Sequence, residues 1–71
     1  MPRLTENQKL ANRAHNLVMK SNQYAYGSNA FFNKALQVAQ AAHRASGRKG
    51  SGPTPNNILN AAIRWALKYK I

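Results

Sequence analysis

Lys9, Arg13, Asn16 and Lys20 recur at i, i+4, i+7 and i+11, the spacing that lines side chains along one stripe of an α-helix. Its three cations then span about 16 Å at about 1.5 Å per residue. A row of this kind can neutralise successive phosphates, the contact that supplies nonspecific binding to nucleic acids. The ordinary alternative is a solvated helix face, but such faces alternate signs and set Glu four residues before Lys. This chain holds one acid, Glu6, against eleven Lys and Arg, for a formal net charge of +10 over 71 residues. The repulsion within the stripe is therefore left for a polyanion to relieve.

Two further groups carry the same chemistry. Asn57, Asn60, Arg64 and Lys68 repeat the helical spacing and are expected on a stripe opposite Ile58 and Trp65. His43, Arg44, Arg48 and Lys49 run into the segment 47–53, where three glycines let backbone N–H groups come close to an anion. Arginine adds a planar fork that pairs two phosphate oxygens, and the following helix start, near Asn56 and Asn57, has no acid to cancel its partial positive charge. A plain surface loop, its cations complementing the preceding helix dipole, is the competing account. The segment is not a P-loop: Lys49 stands at the wrong distance from a second glycine, and no acid is placed to hold magnesium. The Arg-Gly-Arg-Pro order of a minor-groove hook is also missing.

Base readout has thinner support. Asn33, Gln37, Gln40 and Arg44 lie along one helix face, and amides can pair with adenine, yet nine Asn in the chain make exposed amides unremarkable as a signal. Tyr24 and Tyr26 could stack on unpaired bases, although tyrosines so placed more often pack over the end of a bundle. Trp65, Tyr69, Phe31 and Phe32 read as core.

The elements that must hold these groups are three helices. Thr5 followed by Gln8 is a capping-box pattern with Glu6 in the first turn, opening a helix over about 5–21 whose inward face is expected at Leu10, Ala14, Leu17, Val18 and Ser21. Ser28 opens a second over about 28–46, with Phe31, Phe32, Ala35, Leu36, Val38, Ala39 and Ala42 forming an arc wide enough for the central, most buried helix. Gly47 ends it, and Thr54 with Pro55 at the first helical position opens a third over about 54–70, inward at Ile58, Leu59, Ala62, Trp65, Ala66 and Tyr69. The expected fold is all-α: one domain, 1–71, a compact three-helix bundle with a glycine-rich basic linker between helices two and three. A chain of about 60–70 residues supports only one marginal core.

Composition narrows the function classes. One acid excludes paired-carboxylate catalysis, the lack of any Asp excludes a Ser-His-Asp triad, and two histidines without cysteine are too few for catalytic zinc. No enzyme, cofactor or metal is expected. Apolar runs of at most three residues fall short of the about 7 of a signal-peptide core and the about 18 of a membrane span, so no membrane partner is expected. The leading expectation is a small nucleic-acid-binding bundle, DNA favoured over RNA, gripping the phosphate backbone with little base-specific readout. Its contacts are Lys9, Arg13, Lys20, Arg44, Arg48, Lys49, Arg64 and Lys68. Because seven residues separate helices two and three, a helix-turn-helix repressor is disfavoured. The location expected is cytoplasmic or nucleoid-associated, or within a virus particle. The alternative is an accessory subunit docking on an acidic protein, with an apolar patch drawn from Leu4, Met19, Leu67 and Ile71.

Overall fold

Helix α1 begins where its sequence signal does. The Thr5 Oγ1 accepts the Gln8 N–H at 3.1 Å while the Thr5 N–H donates to Gln8 Oε1 at 2.8 Å, so two otherwise unpaired amides are satisfied reciprocally. The computed structural model describes residues 4–69, with α1 at Glu6–Ser21, α2 at Asn29–Ala45 and α3 at Pro55–Tyr69, and no strand among the described residues. Residue 70, expected in the third helix, lies outside them, as does Ile71. Asn22, left-handed at φ 61°, ends α1. Ser28 caps α2 by accepting the Phe31 N–H at 3.1 Å, and Gly47 at φ 75° follows its last turn.

The three helices touch one another in a bundle whose radius of gyration, 11.7 Å, is close to the about 11 Å of a compact chain of this length. Its centre is α1, which packs broadly on both neighbours, while α2 and α3 meet least. The expectation that α2 is central is therefore corrected. The outer part of its arc, Phe32 and Leu36, is only partly buried and lines an open groove against α3.

Alanine makes the core. Ala11, Ala14, Ala35, Ala39 and Ala61 are buried with Val18, Phe31 and Ile58, so small side chains let the helices approach and a few large ones fill what remains. This choice rotates α1 relative to expectation. Its buried face is Ala11, Ala14, His15 and Val18, and Leu17, expected inward, is 53% exposed. In α3 the buried positions are Ile58 and Ala61, whereas Leu59 and Tyr69, also expected inward, face solvent.

His15 is fully buried at the junction of all three helices. Its Nδ1 donates to Asn16 Oδ1 (3.1 Å), and its Nε2 is hydrogen-bonded to the Tyr26 hydroxyl (2.9 Å). Tyr26, Phe31 and Trp65 surround it at centroid distances of 5.4, 5.4 and 6.0 Å. Tyr26 thus packs at the end of the bundle with 46% of its surface still exposed, and Tyr24 packs on the core. Among the described residues no helix is long and apolar enough to cross a membrane.

Candidate functional site

The glycine-rich linker is tied down at several points. His43 Nε2 donates to the Gly50 carbonyl (3.2 Å), Gln40 Nε2 to the Pro53 carbonyl (3.2 Å) and Asn7 Nδ2 to the Gly52 carbonyl (3.2 Å). These bonds lay the linker across the C-terminal half of α2 and the start of α1. Gln40, a candidate for base readout, is consumed in this role. Gly52 is left-handed at φ 77°, and a Cβ there would stand 2.8–2.9 Å from the His43 ring, so only glycine lets the linker lie this close. At the start of α3, Asn57 Oδ1 accepts both the N–H and the hydroxyl of Thr54 (2.8 and 3.1 Å), so Asn57 serves the cap and is not held out for an anion.

Of the eight expected contact residues, Lys9, Arg13 and Lys20 lie exposed along the outer face of α1. Arg48 reaches across from the linker to Glu6 at 3.7 Å, and Lys9 stands 3.8 Å from the same carboxylate. The chain's one acid therefore joins the linker group to the first turn of α1. Both pairs are solvent-exposed and weak, about 0–1 kcal/mol. Lys49 is exposed on the linker. Arg44 stands apart, on the outer face of α2 with Lys34 and Gln37, and Lys34 is a basic residue that the helix-one and helix-three stripes gave no reason to single out.

The third group departs from expectation. Arg64 and Lys68 are not opposite Ile58 and Trp65 but beside them, at i+3 and i+7 from the buried Ala61, on the edge of α3 that faces α1. Arg64 is partly buried, and its Nη2 donates to Asn12 Oδ1 at 2.7 Å. Its Nε is buried with no protein partner. Between the helices runs a half-open cleft of about 160 Å³ walled by Asn12 and Asn16 from α1 and by Arg64, Trp65, Lys68 and Tyr69 from α3. Trp65 and Tyr69 stand 5.2 Å apart between centroids, and the Lys68 Nζ sits 5.7 Å from the Tyr69 ring. Asn12, Trp65 and Tyr69 were not expected at a site, because the helical wheel assigns aromatics at 3.6-residue spacing to the core by default.

Two grooves of the bundle consequently differ. The α1–α3 cleft carries two cations and two amides, and the α1 lysine and arginine stripe flanks it. By contrast, the α2–α3 groove is lined by Phe32, Leu36, Ile58 and Leu59 with amides and a proline, with no charged side chain among the described residues that line it. It adjoins a solvent-facing apolar strip on α3, Leu59, Ile63 and Leu67, the last 73% exposed. Leu67 is thus outward as expected, but Met19 packs on the core and Leu4 is partly buried, so the expected patch is replaced by this one. No protein-family model, curated protein or solved structure matches the chain.

Proposed function

We propose that the protein binds nucleic acid through its phosphate backbone, using the outer face of α1 and the adjoining edge of α3. The observation that carries this reading is the exposed row Lys9, Arg13 and Lys20, in a chain whose one acid is already shared between Lys9 and Arg48. An ordinary solvated face would relieve such a row with interspersed carboxylates. Lys68 extends the row around the α1–α3 cleft, while Arg48 and Lys49 extend it at the start of α1. Backbone gripping suits this arrangement better than base readout, since the exposed cations form the continuous row while Gln40 of the α2 amide face is spent on the Pro53 carbonyl. Either DNA or RNA supplies the phosphates.

The test is a titration of labelled duplex DNA, single-stranded DNA and RNA at several salt concentrations, with Lys9, Arg13 and Lys20 changed together to Glu. Log affinity is expected to fall linearly with log salt, by about 0.7–0.9 per phosphate contact, and the variant should bind weakly with a shallower slope. No binding in dilute buffer would sink the proposal. Unchanged affinity in the variant would remove α1 from the site.

A second reading has its own support, the solvent-facing Leu59, Ile63 and Leu67 beside an uncharged groove. Apolar surface of this kind on a chain of charge +10 suits docking to an acidic protein. That association would survive nuclease treatment and be lost on changing Ile63 and Leu67 to Ser.

A further inference from the structure

The α1–α3 cleft differs from a bare basic patch in one respect: it places aromatic rings and amides among its cations. We infer that this cleft holds one unpaired nucleotide of a single strand, its base against Tyr69 and Trp65 and its phosphate on Lys68. The inference rests on the backbone-binding reading above and narrows it to strands whose bases are free.

Three observations point there. Tyr69 is 57% exposed although it follows Trp65 on the same helix face, so its ring is presented to solvent and not buried in the bundle. A base has a π-face whatever its identity, which makes an exposed ring a sequence-tolerant stacking platform. The Lys68 Nζ lies over the Tyr69 ring, 5.7 Å from its centroid, within reach of the phosphate attached to a base at that ring. Finally, the free polar atoms of the cleft are mostly donors, the Tyr69 hydroxyl being able to accept as well. Arg64 has no acceptor, so Asn12 must turn its Oδ1 toward it and its Nδ2 away, and Asn16 likewise spends Oδ1 on His15. With Lys68 and the rest of the guanidinium, the cleft offers N–H groups and seeks acceptors. Phosphate oxygens and the acceptor atoms that every base carries on its edges fit that demand.

Size separates this ligand from others. About 160 Å³ is below the about 300–1,000 Å³ of pockets that enclose a drug-sized molecule, so the cleft suits one planar ring lying against its wall. In a duplex the base stays paired and stacked, and the rings of the cleft cannot reach its face.

Trp65 is the chain's one tryptophan and sits in the cleft, so its fluorescence reports occupancy directly. The experiment titrates the full chain at one low salt concentration with oligo-dT, oligo-U, oligo-dA, an abasic deoxyribose-phosphate strand of the same length and a duplex. Oligo-dT and oligo-U should quench Trp65 and bind about fivefold to a hundredfold more tightly than the abasic strand. Oligo-dA should quench as well, since stacking does not depend on base identity, and the duplex should bind without quenching. Tyr69→Ala, at an exposed position, should keep its helical circular dichroism, retain abasic binding and lose the margin for bases. Equal affinity for abasic and base-bearing strands with Trp65 unmoved would overturn the inference while leaving backbone binding intact. Quenching by duplex, or a Tyr69→Ala protein that keeps the margin, would overturn it too. Failure of every strand to bind would remove both proposals together.

Discussion

Arg64 of α3 donates from Nη2 to the Asn12 Oδ1 of α1 at 2.7 Å, and this bond spans the cleft between the two helices across 52 residues of sequence. A charge-assisted bond of this length, partly shielded from water, is worth about 1.5–3 kcal/mol to the fold. It also fixes which way the Asn12 amide points. Arg64→Ala and Asn12→Ala should each destabilise the bundle, and the double variant should lose less than the sum, with a coupling of about 0.5–3 kcal/mol in chemical denaturation. Additive losses would show that the two side chains do not work as a pair.

Glu6 holds Lys9 and Arg48 at 3.8 and 3.7 Å and so competes with any phosphate for both. Glu6→Gln should therefore raise affinity for an oligonucleotide at low salt and steepen the salt slope by as much as two phosphate contacts. The cost to folding is small, about 0.3–1 kcal/mol from the helix dipole, since the exposed pairs add little. Weaker binding in this variant would mean that the carboxylate positions the linker cations and does not compete with the phosphate.

The His43 ring stands where a Cβ on Gly52 would be, 2.8 Å from its Cδ2 and 3.3 Å from its Cβ. Gly52→Ala must push the linker off α2, straining the bonds to Gly50, Gly52 and Pro53 carbonyls. Gly47 shares the positive φ but has open space around it. Gly47→Ala should then cost about 1 kcal/mol for backbone alone, and Gly52→Ala clearly more. Equal shifts in denaturation midpoint would contradict the close approach.

Burial raises the Tyr26 phenol above its ordinary value, and the hydroxyl is bonded to the buried His15. A phenol whose folded-state pKa is raised contributes stability that is complete below its unfolded value and is lost as pH climbs through the folded one. The bundle should lose stability at alkaline pH through this group, and Tyr26→Phe should remove that part of the loss. In a protein with Tyr24 and Tyr69 changed to Phe, the remaining tyrosine should titrate above the free amino acid by ultraviolet absorbance; a titration at the ordinary value would disprove the effect of burial.

The helix ends were legible because their signals are local: Thr5 with Gln8, Ser28, Gly47 and Pro55 act on atoms within a few residues. Facing was not. Leucines mark the hydrophobic side of an ordinary helix, yet here Ala11, Ala14, Ala35, Ala39 and Ala61 make the contacts, and Leu17, Leu59 and Leu67 are left outside. Alanine carries little hydrophobic weight on a wheel, so a face built from it is outvoted by nearby leucines. The row Ala11, Ala14, His15 and Val18 has correct helical spacing, but it includes a histidine whose partner, Tyr26, lies in the next connection. The same rotation hid the cleft. Once α3 turns to bury Ala61, Arg64 and Lys68 come round to face Asn12 and Asn16, and Tyr69 is carried into the open.

If alanine is what sets the helix spacing, enlarging it must hurt more than trimming a leucine. Ala35 is fully buried at the waist of α2, and Ala35→Leu would force extra methylenes into a packed contact, at a cost of about 1–3 kcal/mol. Leu67 is 73% exposed, and Leu67→Ser should change stability by no more than about 0.5 kcal/mol. For a chain of 71 residues, at about 0.05–0.15 kcal/mol per residue, the alanine change would consume a large part of the total. Thermal unfolding followed by circular dichroism separates the two. A tolerated Ala35→Leu beside a damaging Leu67→Ser would mean that leucine, not alanine, makes the core, and that α3 faces the other way.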